Sequence, residues 1–134
     1  MRAILIDPEA RTIVEVETEG RLADIHALVA DKHGLDSGRL AEHEDSWDYG
    51  WVDDKGLAAE ECIHAFKWSI RPTAGRCLVI GVDKETRDSC DARMPLDFAR
   101  EHVTWLGLIK PEVTWVVEGN TVRAVVTYQR AGAP

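Results

Sequence analysis

The feature that most constrains this chain is the apolar run from Cys77 to Val82, Cys-Leu-Val-Ile-Gly-Val. A run of six residues is typical of a strand buried on both faces, and it is far shorter than the ~20 residues that cross a bilayer. At 134 residues, the chain has the length of one domain and can bury roughly two-thirds of its extended-state surface. We therefore predict a single domain over residues 1–134 with Cys77–Val82 as its central strand.

The flanking patterns predict both strands and helices. Residues 3–6 and 12–17 are rich in β-branched side chains and predict an opening hairpin. Apolar residues recur at helical spacing over Leu22–His33 and again over Pro95–Leu106. Together these patterns predict an α+β fold, in which a small antiparallel or mixed sheet carries two main helices packed on one face.

Two further segments extend this picture. A short helical pattern from Gly56 to Phe66 predicts a helical turn that leads into a strand over Phe66–Ile70. Near the C-terminus, the strand patterns Val113–Val117 and Val122–Tyr128 flank a Gly-Asn turn signal. We predict a hairpin over about residues 113–128, followed by a frayed end from Gln129 to Pro134.

The least usual stretch runs from Ala41 to Asp54, which contains six acidic residues and no Lys or Arg. Within it Trp47, Tyr49 and Trp51 alternate, so all three share one face of a strand. One interpretation is a half-buried strand whose aromatics pack on the core. The other is an aromatic shelf that stacks a planar ligand ring or contacts a basic partner protein.

Charge and motif spacing exclude several classes of function. With 24 acidic and 16 basic residues the net charge is −8, which argues against direct binding of nucleic acid or an anionic membrane. The three Cys form no Cys-x-x-Cys pair, and the five His show no ligand spacing. We therefore expect a cytoplasmic protein with no disulfide, no metal and no cofactor.

Three blocks of sequence resemble a family of small, mostly uncharacterised proteins encoded by phages, prophages and other mobile elements. They are Ile-Leu-Ile-Asp-Pro at residues 4–8, Val-Asp-Asp-Lys-Gly-Leu at 52–57, and Ala-Gly-Arg-Cys-Leu-Val-Ile-Gly-Val-Asp at 74–83, followed by a helix that ends in Val-Thr-Trp-Leu at 103–106. The resemblance covers about residues 1–107, so the C-terminal hairpin lies outside it. It implies a small accessory protein, a context in which binding is commoner than turnover, and it carries over no catalytic residue.

The leading functional hypothesis is a binding module that occupies a host protein or captures a small, nucleotide-like ligand. Stacking would come from Trp47, Tyr49 and Trp51, and phosphate-binding guanidinium groups from Arg71 and Arg76. The acidic neighbours Asp53 and Asp54 complete the candidate set.

Three alternatives stay open. An acidic decoy surface could compete with nucleic acid for a basic protein, using the Glu42–Asp54 run. An enzyme would have to use acid–base groups that share no recognised spacing, namely Asp53, Asp54, His64, Asp83 and His102. Exposed strands could also pair between copies of the chain and form a homo-oligomer.

Overall fold

The computed structural model describes residues 1–30, 34–56 and 61–130, and it is mostly β. Strands hold 59% of these residues and helices 12%, in two sheets that are antiparallel throughout. The expected α+β fold with two main helices packed on one face of a single sheet is therefore wrong. The prediction of an antiparallel sheet around the apolar run is correct, but the chain builds a second sheet as well.

The described residues form ten strands and two short helices in chain order. Their bounds are β1 Arg2–Asp7, β2 Thr12–Glu17, α1 Leu22–Val29, β3 Leu35–Glu42, β4 Ser46–Asp53, β5 Ile63–Trp68, β6 Arg71–Ala74, β7 Cys77–Asp83, β8 Ser89–Cys90, α2 Leu96–His102, β9 Val103–Glu118 and β10 Thr121–Arg130.

The first sheet, here called sheet A, has the order β2-β1-β7-β4-β3, with the short β8 added beside β7. Its central strand is the apolar run, and residues 77–81 of that strand are all buried. Leu78 and Ile80 pack on one face, while Cys77 and Val79 pack on the other. The predictions of a central strand and of an opening hairpin are thus confirmed.

The two helices lie on opposite faces of sheet A. Helix α1 packs Ile25 against Leu78 and Ile80, whereas α2 packs Ala99 into the cluster that holds Val79 and Phe66. Each helix has only two turns. The predicted second helix is too long, because the β-branched and aromatic residues from Val103 onward enter strand β9 instead.

The second sheet, sheet B, has the order β10-β9-β5-β6. Its strand β5 begins at Ile63, so the helical turn predicted up to Phe66 is wrong for that part. The remainder of that turn, residues 57–60, lies outside the described residues, as do residues 31–33 at the end of the first predicted helix and 131–134 of the predicted frayed end. Gln129 and Arg130 belong to β10.

One buried carboxylate joins sheet A to the segment that leads into sheet B. Asp48 on β4 is fully buried, and its oxygens accept hydrogen bonds from the backbone N–H of Arg93 at 3.0 Å and of Met94 at 2.8 Å. The His43 ring nitrogen Nε2 lies 2.8 Å from the same carboxylate. Buried polar groups are costly unless they are bonded, so this carboxylate fixes residues 93–94 against the sheet.

Replacing Asp48 by Ala should lower the free energy of unfolding by about 3 kcal/mol, because two backbone N–H groups lose their acceptor. The matched control is Asp45→Ala in the same hairpin, an exposed position where a change within about 0.5 kcal/mol is expected. Chemical denaturation of both variants makes the comparison. Equal stabilities for the two variants would show that Asp48 does not hold the segment.

Candidate functional site

The hairpin of β9 and β10 extends past the last residue that pairs with β5. We call residues 110–130 of this hairpin the arm. Strand β9 pairs with β5 only as far as Ile109, and beyond that point its described partner is β10. The arm turns through Gly119 and Asn120, where Gly119 has a φ of +60° that suits a two-residue hairpin turn. The sequence prediction of this hairpin and its turn is confirmed.

One face of the arm is apolar and open to solvent. Cross-strand pairing places Val113 beside Val126, Trp115 beside Ala124 and Val117 beside Val122. Trp115 is 68% exposed and Val117 is 69% exposed. The other face carries polar residues among two half-buried valines: Thr114, Val116, Glu118, Thr121, Arg123, Val125, Thr127.

The apolar face continues a buried cluster in the body of the protein. Ile109 on β9 is fully buried with Ala65 and Leu106, and Tyr128 packs against the same cluster. Two residues further along β9, Pro111 is still buried, but from Val113 onward the same side of the strand is exposed. The apolar side of sheet B therefore continues along the arm, where no described element covers it.

Both edges of the arm lack a strand partner within the described ranges. Strand β10 is the edge strand of sheet B. On the other side of the arm, β5 pairs with β9 as far as Ile109, and no described strand pairs with that side over residues 110–118. The two residues that flank a two-residue turn form a hydrogen-bonded pair, so Glu118 and Thr121 bond to each other and the pairs then alternate. The N–H groups of Val122, Ala124 and Val126 consequently point to the free edge of β10.

The three aromatics of the predicted shelf lie on β4 and share one face, as expected. All three are half-buried. Side chains of the same chain already cover Trp47, since Arg39 lies 4.2 Å, Arg87 5.0 Å and Lys84 5.4 Å from its ring centre. Three cationic side chains of the same chain thus already occupy the Trp47 ring, which leaves less of it for the basic partner that the acidic sequence run suggested.

Trp51 belongs in part to the core. It packs against the cluster of Ile25, Leu78 and Ile80 beneath helix α1. Tyr49, between the two tryptophans, accepts a hydrogen bond from Arg39 Nε at 3.0 Å. The interpretation of a half-buried packing strand thus describes Trp51 better than that of an open shelf.

The remaining predicted site residues separate into two places. Arg71 lines a cleft together with Asp53 and Asp54, on the opposite face of β4 from the aromatics. Arg76 lies elsewhere, with Nε 3.7 Å from Asp7 and Nη1 3.4 Å from the carbonyl oxygen of Leu28. The structure brings Arg71 and the two aspartates together, but it brings neither arginine to the aromatics.

The acidic run does not form one surface. Glu42 makes an ion pair with Lys84 at 2.7 Å, and the hydrogen bond from that ammonium group lowers the pKa of Glu42. Asp48 is buried, and Asp53 and Asp54 lie at the cleft. A decoy that imitates nucleic acid needs a continuous acidic face, and these residues are divided among an ion pair, the core and the cleft.

The candidate acid–base groups are also dispersed. The His102 ring stacks on Phe98 with ring centres 4.1 Å apart, and its Nδ1 atom lies 2.8 Å from the Phe98 carbonyl oxygen. These contacts give His102 a role in packing.

Asp83 accepts hydrogen bonds from the backbone N–H groups of Thr86 and Glu85, and these bonds lower the pKa of Asp83. His64 lines a separate groove beside Arg76.

Two of the three cysteine thiols, those of Cys77 and Cys90, are poor nucleophiles at the positions where they lie. Burial raises the pKa of Cys77 to about 12, and burial also raises the pKa of Cys90. A thiol with a raised pKa is protonated at neutral pH, and the thiolate is the reactive form. Cys77 therefore acts as a small apolar residue.

Comparisons with known proteins identify no family for this chain. No family model, no curated protein and no solved structure gives a significant match. Within the described ranges, no three His, Cys, Asp or Glu side chains group as metal ligands would, and no helix is long and apolar enough to span a membrane. The resemblance to mobile-element proteins stays a prediction.

The sequence predicts the hairpin but indicates no function for it. The signal was the alternation Val-x-Trp-x-Val before the turn and Val-x-Ala-x-Val after it, which places six apolar side chains on one face. Alternation of this kind is typical of a strand with one buried face. Only the three-dimensional structure shows that nothing described covers that face.

Replacing Trp51 by Ala should lower the free energy of unfolding by about 2–3 kcal/mol, because the ring packs on the helix α1 cluster. The matched control is Trp115→Ala in the arm, where an exposed ring predicts a change within about 0.5 kcal/mol for the isolated chain. Urea unfolding of both variants measures the difference. If the two costs were reversed, Trp51 would be a surface residue and the open shelf would be restored.

Proposed function

We propose that this protein is a non-catalytic binding protein whose binding element is the arm, and that its partner is another polypeptide with an uncharged apolar surface. The single observation that carries the proposal is the exposed apolar face of Val113, Trp115, Val117, Val122, Ala124 and Val126. A general function in binding was expected from the sequence, but the arm was not the expected site.

The size of the exposed face supports a binding role. A Trp side chain alone can bury about 150–250 Å². With five smaller apolar side chains beside it, the face reaches the several hundred Å² that mark interaction sites on soluble proteins. Elsewhere in the described chain, exposed large apolar residues such as Leu22 and Ile70 lie singly.

The chemistry of the arm favours a protein partner over a charged ligand. Among the six residues of the apolar face there is no charged side chain, and the nearby Arg123 is paired with Glu118 at 2.9 Å. A partner that supplies a strand can also satisfy the outward N–H groups of β10, since strand addition to an exposed edge is a recurring mode of recognition. An uncharged apolar face and a strand edge with outward N–H groups are both complementary to another polypeptide.

The arm also carries a feature that limits uncontrolled pairing. Pro111 occupies the outer edge of β9, where it removes one N–H group from that edge. Strand β10 contains no proline and offers an uninterrupted edge over residues 121–130. We infer that a partner strand adds to β10 rather than to the outer edge of β9.

The test is a photo-reactive amino acid placed at residue 115 or 122, on the apolar face, in protein expressed in its own cells. We expect a covalent adduct of defined mass from both positions, either with a second copy of the chain or with one other protein. The control positions are 114 and 127, which are equally on the arm and exposed but point to the opposite face. These should give little adduct.

A second variant separates binding from folding. Trp115→Ser should reduce the adduct formed at position 122 by about tenfold or more, as loss of an interface anchor does. The melting midpoint of the isolated chain should hardly change, because the ring makes few contacts there. Equal adduct yields on the two faces of the arm, or none on either, would contradict the proposed function.

A further inference from the structure

The cleft between the two sheets is a second site that the arm does not explain. It lies where β3 and β4 of sheet A face β5 and β6 of sheet B, and it has a volume of about 270 Å³. Gly38 and Gly50 are directly paired across the two strands and both line it. A Cβ atom at Gly38 would come within 3.2 Å of Arg71 Nη1, so the missing side chain helps to keep the space beside Arg71 open.

The floor of the cleft is apolar. Leu40 and Val52 on sheet A are half-buried and present apolar side chains to the cleft, and Phe66 and Trp68 lie beneath it with 1% and 8% of their surface exposed. Ligand sites are typically lined in this way, with a few polar groups that fix the orientation of the ligand. A floor of this kind can accommodate a small ring or a branched aliphatic group.

The mouth of the cleft carries charges of both signs that do not neutralise one another. Arg71 makes no ion pair or hydrogen bond within the described part of the chain. Asp36 on β3 and Asp54, which directly follows β4, line the same cleft and form no ion pair with Arg71. A guanidinium group matches a carboxylate through two parallel hydrogen bonds, and a carboxylate matches an ammonium group.

We propose that the cleft binds a small zwitterion with an apolar side chain, of the chemical class of a free α-amino acid. Arg71 binds the ligand carboxylate, Asp36 and Asp54 bind the ammonium group, and the side chain packs on the half-buried Leu40 and Val52. A nucleotide fits this site poorly, because its phosphates would face the acidic residues of the mouth. The inference is independent of the arm, which lies at the opposite end of sheet B from β6.

The experiment compares three probes that share a phenyl ring: phenylalanine, phenethylamine without the carboxylate, and 3-phenylpropanoate without the ammonium group. Each is titrated into the full chain and followed by amide chemical shifts. We expect phenylalanine to bind with a Kd on the order of 1 mM, as for a ligand of this size, and more tightly than either partial probe. Shifts should concentrate on the residues of the cleft.

Two variants test the assignment of groups. Arg71→Gln should weaken phenylalanine about tenfold and leave phenethylamine within about twofold, because only the first probe has a carboxylate. Gly38→Val should abolish binding of all three probes by filling the cleft. Arg76→Gln, an arginine outside the cleft, is the matched control and should change nothing.

The melting midpoint of each unliganded variant shows whether it is folded before its affinities are compared. The proposal is overturned if no probe shifts the cleft residues, or if Arg71→Gln weakens phenylalanine and phenethylamine equally. It is also overturned if Arg76→Gln has the same effect as Arg71→Gln.

Discussion

The buried Asp48 carboxylate is the polar contact that holds the segment before helix α2 and β9 against sheet A. This group fixes the backbone at residues 93 and 94, two residues before helix α2 begins. The helix runs directly into β9, which pairs with β5 and then leaves the body as the arm. A carboxylate on a strand of sheet A thus holds the start of the segment that leads to the arm, and pairing with β5 then places β9.

A single strand has two roles in this fold. Residues 103–109 of β9 pair with β5 and contribute Leu106 and Ile109 to a buried cluster, whereas residues 112–118 are largely exposed. Within the described chain the body is closed without the arm, since α1 and sheet B cover the two faces of the central strand. The arm is therefore free to bind. Its apolar face stays in water in the isolated chain, so the free energy of burying that face is not gained by folding.

Part of this fold follows from local sequence and part does not. The run Cys77–Val82 predicts a central strand because a run this short, with Gly75 just before it, is typical of a strand buried on both faces, and Gly119 with Asn120 predicts the tight turn. Val103 to Leu106 continued the helical spacing of α2, but tertiary pairing with β5 made them a strand. Spacing along the chain does not encode which partner a strand will find.

The candidate site shows the same limit. Alternation correctly placed Trp47, Tyr49 and Trp51 on one face, and the proximity of Arg71 to Asp53 and Asp54 could not be foreseen, because it depends on how β6 approaches β4. The sequence alone likewise does not predict that Trp115 is exposed. An alternating strand pattern indicates one apolar face, and only the assembled sheet shows whether an element covers it.

Hydroxyl-radical labelling of Trp115 shows whether another polypeptide covers the arm in the cell. Labelling in the protein's own cells is compared with labelling of the dilute purified chain, with Leu22 on helix α1, which is 64% exposed, as the internal reference. If a polypeptide covers the arm, the reactivity of Trp115 relative to Leu22 falls several-fold in the cell. An unchanged ratio would mean that Trp115 stays in solvent and that no polypeptide covers the arm.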